Sequence, residues 1–187
     1  MRHMNEVDVR IADRAADMFY EHGITATGVE ALSRAAGISK RTLYERFGSK
    51  DGLIAAAFEV RDLPVFERYT VPAEQEATPR EQLKRLFAEL EALIRDPDFR
   101  GCPFTSAASE LPLDHPAHPV IRRHKDRLRR WILARARAGG ADDPTKLSRQ
   151  LMILFDGALV ESLLQGSARP ARDGREIAET LIDASLR

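Results

Sequence analysis

The sequence contains one cysteine, few aromatic residues and no long hydrophobic run. A single cysteine excludes an intramolecular disulfide bond and favours a reducing compartment. No run approaches the roughly 20 apolar residues that a membrane-spanning helix needs, and the first ten residues lack the apolar core of a signal peptide. We therefore expect a cytoplasmic protein with no membrane partner.

Net charge is also absent. The 187 residues include 29 Lys and Arg and 29 Asp and Glu, so the formal net charge at pH 7 is zero. This balance excludes a generic polycation, and any contact with nucleic acid must come from a local patch. Common catalytic motifs are missing as well, among them the P-loop, G-x-S-x-G, G-x-G-x-x-G and H-E-x-x-H. We expect no enzyme activity and no cofactor.

Apolar residues recur at helical spacing along the chain, and no run shows the alternation that is typical of a strand. This pattern predicts an all-α fold of about nine helices. Helix ends are predicted at Gly23, Gly37 and Gly139-Gly140. Helix starts are predicted at Ser39, Ser49, Pro103 and Asp143, and at two capping-box patterns, Thr27-x-x-Glu30 and Asp173-x-x-Glu176. Pro64, Pro72 and Pro79 predict a linker or irregular stretch over residues 62–79.

Residues 36–50, AGISKRTLYERFGSK, concentrate cationic side chains around two aromatic residues. A helix over 27–36, a short turn and a helix over 40–47 give the spacing of a helix-turn-helix, whose second helix enters the major groove. Lys40, Arg41 and Thr42 would then meet base edges, and Tyr44 would reach a backbone phosphate. Leu43 and Phe47 should face inward. The alternative is that these cations form an ordinary solvated helix face.

Lys50 follows Ser49, the predicted cap of the next helix. Helix N-termini favour anions, so Lys50 and the free amides of that helix predict a second phosphate site.

Residues 11–58 resemble the DNA-binding domain of the TetR (tetracycline-repressor) family of bacterial transcription regulators. The matching residues are the helix ending in Phe19, then Gly23, Thr25, Thr27, the run Ala31–Ser39, Thr42-Leu43-Tyr44, Phe47 and Ser49–Leu53. The resemblance implies that Tyr44 and Lys50 hold phosphates, that residues 39–42 contact bases, and that Thr25 and Thr27 add phosphate contacts. The implied DNA-binding residues are Thr25, Thr27, Ser39, Lys40, Arg41, Thr42, Tyr44 and Lys50. Arg41 and Arg46 stand where many relatives carry a small residue and often a histidine, so the resemblance implies DNA binding but not a particular base preference.

The resemblance also implies a DNA-binding domain over residues 1–50 and a helical ligand-binding and dimerisation domain over 51–187. The helix predicted over 144–165 is apolar on more than one face, as a helix between its own core and a partner needs. The predicted dimer interface is Leu151, Leu154, Phe155, Ala158, Leu159, Ile177 and Leu181. The alternative is one large monomer core.

Large apolar residues could line a cavity for a small-molecule effector, although such residues more often form core. The predicted pocket residues are Phe58, Leu86, Phe87, Leu90, Cys102, Phe104, Trp131 and Phe155. Asp156 and Glu161, within a largely apolar helix, are candidates for a buried polar contact with a ligand or a second copy.

Cys102 precedes Pro103, which suits the first position of a helix. The helix dipole and Arg100 could lower the pKa of the thiol, so a cysteine that senses oxidants or electrophiles is an alternative to simple packing. His115, His118 and His124 are metal-ligand types, but Pro116 and Pro119 interrupt the local helix and no cysteine pair accompanies them. We expect no metal site, and no nucleophile–base pair between Cys102 and these histidines.

The resemblance implies a homodimeric regulator, most simply a ligand-responsive repressor that binds a palindromic operator in double-stranded DNA. The alternatives are a cysteine-based sensor of the same fold and a helical protein-interaction module. Salt dependence separates DNA binding from the last of these, because binding through several phosphates weakens steeply with salt.

Overall fold

The computed structural model describes residues 4–186, and within them the chain forms nine α-helices and no strand. The helices are α1 (Glu6–His22), α2 (Val29–Ala36), α3 (Lys40–Phe47), α4 (Lys50–Glu74), α5 (Pro79–Ile94), α6 (Pro103–Glu110), α7 (His118–Ala138), α8 (Pro144–Gln165) and α9 (Arg169–Ser185). The predicted all-α fold is confirmed. No helix in the described part of the chain is long and apolar enough to cross a membrane.

Most of the predicted helix ends are confirmed by their capping contacts. Ser39 Oγ accepts a hydrogen bond from the Thr42 N–H, and Ser49 Oγ accepts one from the Gly52 N–H. Gly37 ends α2 with φ of 65°, a left-handed conformation that costs glycine little. Pro103 begins α6, as predicted from the fixed φ of proline.

The predicted linker over residues 62–79 is wrong. Helix α4 continues through Pro64 and Pro72 to Glu74, and only residues 75–78 lie between it and α5. Each proline removes a backbone hydrogen bond, a cost of about 3 kcal/mol in a helix interior. Tyr69 and Ala73 are buried in this part of α4, and their packing offsets that cost.

Both predicted capping boxes are also wrong. Gly28, not Thr27, is the N-cap of α2, because the Thr27 hydroxyl instead donates to the Gly23 carbonyl oxygen at 2.6 Å. Asp173 lies inside α9, which begins at Arg169 with Pro170 in its first turn. Buried Ala171 gives this extra turn a packing contribution that a polar capping pattern does not reveal.

The described chain divides into two compact units. The first comprises residues up to Pro64 together with Cys102–His124, and the second comprises Val65–Gly101 and the residues from Lys125 onward. This division concerns packing and differs from the predicted functional boundary at residue 50, which stays a prediction.

The first unit packs α1, α2 and α3 with the first part of α4, α6 and the start of α7. Its core is formed by apolar side chains that are almost fully buried, namely Ile11, Ala15, Phe19, Leu32, Leu43, Leu53, Ile54 and Phe104. Phe58 and Phe104 contact each other with ring centroids 5.3 Å apart. Burial of Leu43 seats α3 against this core, which leaves the opposite face of that helix exposed.

The second unit is built on the packing of α5, α8 and α9. Phe155 of α8 contacts Tyr69 and Phe87 edge-on, with ring centroids 5.2 and 6.0 Å away. Gly174 of α9 lies so close to α8 that an added Cβ would be 3.2 Å from the Ala158 Cβ. Small residues at this crossing therefore allow the two helices to approach closely.

Candidate nucleic-acid interface

Helices α2 and α3 are joined by a tight turn with well-formed ends. The N–H of Ile38 donates to the Ser33 carbonyl oxygen at 3.0 Å, which closes the end of α2. Ser39 then caps α3, and its Oγ lies 2.9 Å from the Thr42 Oγ1. Leu43 is fully buried, and Phe47 is partly buried. This geometry is that of a helix-turn-helix in which α3 presents its first turn to the outside.

The outer face of α3 carries paired cations. The Arg41 side chain is 87% exposed, and its Nε donates to Glu45 Oε1 at 2.7 Å. Lys40 Nζ lies 3.3 Å from Glu30 Oε2 on α2. These exposed pairs contribute little to stability, so exchange of a carboxylate for a base edge or phosphate costs little. Lys40 and Arg41, two of the predicted base-contacting residues, are therefore accessible in the first turn of α3.

The predicted phosphate contacts have different surroundings. Tyr44 is 47% exposed on the face of α3. Lys50 Nζ donates to the Ile24 carbonyl oxygen at 2.8 Å, and an ammonium group keeps two further donors.

Glycine is required at position 52, because a Cβ at that position would lie 2.1 Å from the Phe47 carbonyl oxygen. The first turn of α4 thus lies directly against the end of α3.

Thr25 and Thr27 use their hydroxyl groups within the protein. The Thr27 side chain is buried and bonded to Gly23, as described above. The Thr25 Oγ1 donates to Glu110 Oε2 at 3.3 Å. The phosphate contacts implied for these two threonines stay predictions.

Arg46 has a structural partner that sequence reasoning missed. Its Nη1 donates to Asp8 Oδ1 at 2.7 Å, and the Asp8 side chain is 6% exposed. Asp8 also forms a capping box with Asn5 at the start of α1. The pattern Asn5-x-x-Asp8 could have indicated this cap, but nothing in the sequence places Arg46 beside it. Arg46 therefore ties α3 to α1 through a nearly buried ion pair.

The predicted histidine set is buried in the first unit. His115 Nδ1 accepts from the Ala117 N–H at 3.1 Å, and a His118 ring nitrogen lies 3.3 Å from the Leu111 carbonyl oxygen. His124 stacks on Phe104 with ring centroids 3.7 Å apart, and its Nδ1 lies 3.0 Å from Asp62 Oδ1. Within residues 4–186, no three His, Cys, Asp or Glu side chains are grouped so that they could hold a metal ion.

Arg123 extends the polar cluster around Asp62. It is bonded to Glu59 and, at 3.4 Å, to Asp62 Oδ2. Burial by itself lowers the pKa of Arg123, but the hydrogen bonds and charges of Glu59 and then Asp62 raise that pKa above its ordinary value. Arg123 therefore stays cationic and offsets part of the negative charge of the two carboxylates.

Cys102 is the N-cap of α6, next to the predicted helix start at Pro103, but makes no side-chain capping hydrogen bond. It is 6% exposed. Burial leaves little access for an oxidant or electrophile, which favours the packing interpretation.

The predicted pocket residues are all buried and are divided between the two units. Phe58, Cys102 and Phe104 belong to the first unit. The second unit holds Leu86, Phe87, Leu90, Trp131 and Phe155. Trp131 is anchored by its Nε1, which donates to Glu74 Oε1 at 2.8 Å. An effector pocket at these residues stays a prediction.

Most of the residues predicted for the dimer interface lie in the core of the second unit. Leu151, Phe155, Ala158 and Leu159 are at most 5% exposed, whereas Ile177 is 51% exposed. Leu154 and Leu181 are partly buried.

The opposite face of α8 carries apolar residues that the prediction omitted. Ile153, Val160 and Leu164 are 72%, 42% and 74% exposed, and exposed Gly157 lies between them. Positions 153, 157, 160 and 164 share one side of a helix. The two apolar faces were visible in the sequence, but only the packing of α8 shows which one is buried.

The polar contact predicted for Asp156 and Glu161, with a ligand or a second copy, stays a prediction. Asp156 is partly exposed and forms an ion pair with Lys125 at 2.5 Å. Glu161 is exposed and accepts a hydrogen bond from Gln165. They are five residues apart and lie on either side of the exposed apolar face of α8, outside the core of the second unit.

A helix-turn-helix whose second helix is anchored by a buried leucine and exposes cationic side chains is typical of a DNA-binding protein. Residues 11–57 match the family profile described as "Bacterial regulatory proteins, tetR family", and residues 115–187 match the one described as "Tetracyclin repressor-like, C-terminal domain". The chain belongs to the TetR family of bacterial transcription regulators.

Similar proteins support this assignment. A protein of Streptomyces avermitilis, itself proposed to be a TetR transcriptional regulator, is 34% identical, with 98% of this chain and 100% of that chain covered and a TM-score of 0.88. The uncharacterized HTH-type transcriptional regulator YezE of Bacillus subtilis is 28% identical over 123 residues, which span 63% of this chain and 59% of YezE.

The HTH-type transcriptional repressor KstR2 of Mycobacterium tuberculosis is 34% identical over 84 residues. The matched stretch covers 44% of this chain and 42% of KstR2. The chain therefore matches less than two thirds of the length of each of these curated relatives.

Proposed function

We propose that this regulator is a homodimeric, ligand-responsive repressor that binds a palindromic operator. The observation that carries the proposal is the arrangement of α3: buried Leu43 anchors the helix, and Lys40, Arg41 and Tyr44 extend from its exposed face. Lysine and arginine on such a helix can donate to guanine, and a tyrosine hydroxyl can donate to phosphate. Because the protein acts on the chromosome, the proposal also places it in the cytoplasm.

Dimerisation is supported by the exposed apolar face of α8. Ile153, Val160 and Leu164 form a row that a second copy would remove from water. One recognition helix contacts only a few base pairs, so two copies related by a two-fold axis would supply the affinity for an operator with matching symmetry.

Effector binding is supported by family membership and by space within the protein. The first unit has a half-open cavity of about 500 Å³ and the second has one of about 440 Å³. Both volumes are within the range of small-molecule sites, roughly 300–1,000 Å³. None of the predicted pocket residues lines either cavity. Within each unit, the predicted pocket residues and the cavity are the alternative locations of the effector site.

The proposal that the regulator is a repressor is supported by one similar protein. KstR2 is named a repressor, and it shares 34% identity with this chain over 84 residues. An effector would relieve repression only if it favoured a dimer geometry that does not match the operator, because a ligand shifts an equilibrium by its difference in affinity for the two states.

The test is selection of a random duplex DNA library on the purified protein at two salt concentrations. We expect a palindrome to be enriched, with an affinity that falls steeply with salt because several phosphates are contacted. Enrichment of no sequence, with only weak binding that disappears as salt rises, would contradict operator recognition.

The recovered operator then serves as the probe for effectors. Small molecules are screened by thermal shift, and each one that binds is added to an operator-binding measurement. A repressor with a linked effector site should lose operator affinity when the effector is present. An effector that stabilises the protein but leaves operator affinity unchanged would contradict ligand responsiveness alone.

A further inference from the structure

Glu110, the last residue of α6, binds the segment between α1 and α2. Its Oε2 accepts hydrogen bonds from the Ile24 N–H at 3.0 Å, from the Thr25 N–H at 3.1 Å and from the Thr25 hydroxyl at 3.3 Å. The residues are more than 80 positions apart in the chain. One carboxylate oxygen therefore holds two successive backbone amides, which is an arrangement that backbone nests use to bind anions.

The other side of the same segment is bound by α4. The carbonyl oxygen of Ile24 accepts a hydrogen bond from Lys50 Nζ at 2.8 Å. Ile24 is thus held at its N–H by Glu110 and at its carbonyl by Lys50. Ile24 therefore links Glu110 to Lys50, whose side chain is predicted to bind a DNA phosphate.

Two more contacts define the shape of the segment. Gly23 has φ of 83°, a conformation that favours glycine, and its carbonyl accepts from the Thr27 hydroxyl. Gly23, Thr27 and Lys50 all lie within the matched DNA-binding profile at residues 11–57, whereas Glu110 lies outside it. The helix-turn-helix scaffold of this chain is therefore completed by a residue from a later helix.

We propose that Glu110 is a positioning residue for DNA binding. It orders the backbone of Ile24 and Thr25, and through the Ile24 carbonyl it orients the Lys50 ammonium toward the phosphate backbone. In this arrangement Thr25 donates to Glu110 and not to a phosphate. The inference rests on the proposed DNA-binding function and extends it to a residue outside the helix-turn-helix.

The negative charge of Glu110 should lower DNA affinity, whereas its hydrogen bonds to the backbone should raise that affinity. The experiment therefore separates these two effects. Glu110→Gln removes the negative charge but keeps an oxygen that accepts from both amides. Glu110→Ala removes the charge and the acceptor. Comparison of these two neutral variants therefore reports the positioning contact alone. Asp114→Asn, at an exposed acid four residues later, measures the effect of charge removal without that contact.

Affinity for the selected operator is measured across a salt series, and NMR hydrogen exchange of the Ile24 and Thr25 amides is measured on the same variants. We expect Glu110→Gln to bind at least as tightly as the wild type and Glu110→Ala to bind about tenfold more weakly than Glu110→Gln, as expected for loss of hydrogen bonds to a well-placed acceptor. The salt dependence of Glu110→Ala should be shallower, because a less ordered Lys50 makes a weaker phosphate contact. Exchange of both amides should be faster in that variant alone.

Glu110→Asp keeps the charge but shortens the side chain, and it serves if Glu110→Ala does not fold. It should bind the operator more weakly than the wild type does. Equal or tighter binding by Glu110→Ala than by Glu110→Gln, or wild-type affinity in Glu110→Asp, would overturn the proposal. If the wild type binds no DNA, the proposed function fails and this inference fails with it. If the wild type binds the operator but Glu110→Ala and Glu110→Gln bind it equally, this inference alone fails.

Discussion

The cationic residues of the helix-turn-helix have two kinds of partner. Arg46 is paired with nearly buried Asp8, and this contact joins α3 to α1. Arg41 is paired with Glu45 on the surface of the same helix. An exposed i,i+4 pair contributes only about 0.3–0.5 kcal/mol. Arg41 is therefore available to DNA, whereas Arg46 is committed to the fold.

We expect Arg41→Ala to relax the preference for one base pair, by about 1–3 kcal/mol if the guanidinium contacts guanine through two donors. Tyr44→Phe should instead weaken binding to all sequences by about 1 kcal/mol, through loss of one phosphate hydrogen bond. Both effects are measured by competition among operator variants. If Arg41→Ala lowers affinity equally for every base at each position, Arg41 contacts phosphate and the assignment is wrong.

The carboxylate of Asp183 joins α9 to α5 at the surface. Asp183 of α9 accepts from Lys84 at 2.7 Å and from Arg80 at 2.6 Å, and Arg80 also donates to the Leu186 carbonyl oxygen. The hydrogen bond from Lys84, followed by that from Arg80, lowers the pKa of Asp183 below its ordinary value of 3.8. The carboxylate therefore favours the folded state only while it is ionised.

The expected effect of Asp183→Asn follows from this direction of the pKa shift. A lowered pKa in the folded state gives stability that is fully present above pH 3.8 and is lost as the pH falls below that value. We expect Asp183→Asn to lower the Tm at pH 7 by about 1–3 °C, because the group is exposed and screened. The difference from the wild type should shrink below pH 3.8.

Thermal unfolding followed by circular dichroism at several pH values measures this effect. Asp173→Asn on the same helix is the control, because its carboxylate lies 4.0 Å from Arg169 and forms no close pair. A Tm difference for Asp183→Asn that stays constant down to pH 3 would show that the side chain acts through packing and not through charge.

Proline positions show how element boundaries depend on the rest of the chain. Prolines in α4 suggested an irregular stretch, yet the helix continues past Pro64 and Pro72 because its buried residues pack along it. At Pro103 and Pro144 the same residue type begins a helix, as its fixed φ predicts. Local preference decides a helix start, but packing decides whether a helix survives an interruption.

The proposed assembly of two copies depends on the face of α8 that the protein itself leaves exposed. Leu159 is 2% exposed, so a charge there would disrupt the second unit before it affected a dimer. Leu164 is 74% exposed, and a charge at this position leaves the core intact. A test of dimerisation should therefore use the exposed residue.

We expect Leu164→Glu to convert the dimer to a monomer and to reduce operator affinity strongly, because one recognition helix contacts only a half-site. Sedimentation velocity measures the assembly state, and circular dichroism confirms that the helices are retained. Leu113→Glu, at a leucine that is 86% exposed in the first unit, is the matched control. A Leu164→Glu protein that still sediments as a dimer would move the interface to another surface.

Several features of this protein could be predicted from its sequence because they depend on local chemistry. Helical periodicity predicted the all-α fold, and Gly37, Ser39, Ser49 and Pro103 predicted ends that the structure confirms. The spacing of two helices and a turn predicted the helix-turn-helix, and the order of matching residues predicted the family. Each of these signals acts over a few residues, so it is readable before the chain is folded.

Other features were decided only by tertiary structure, because they depend on which residues meet. The sequence shows that α8 is apolar on two faces, but packing against α5 and α9 determines that Leu159 is buried and Leu164 is exposed. It shows Arg46 among the cations of α3, but folding places it beside Asp8. Glu110 is far from the helix-turn-helix in the chain, and its bonds to Ile24 and Thr25 exist only because α6 packs within the same unit. Long-range contacts carry no local sequence signal, and so they had to be observed.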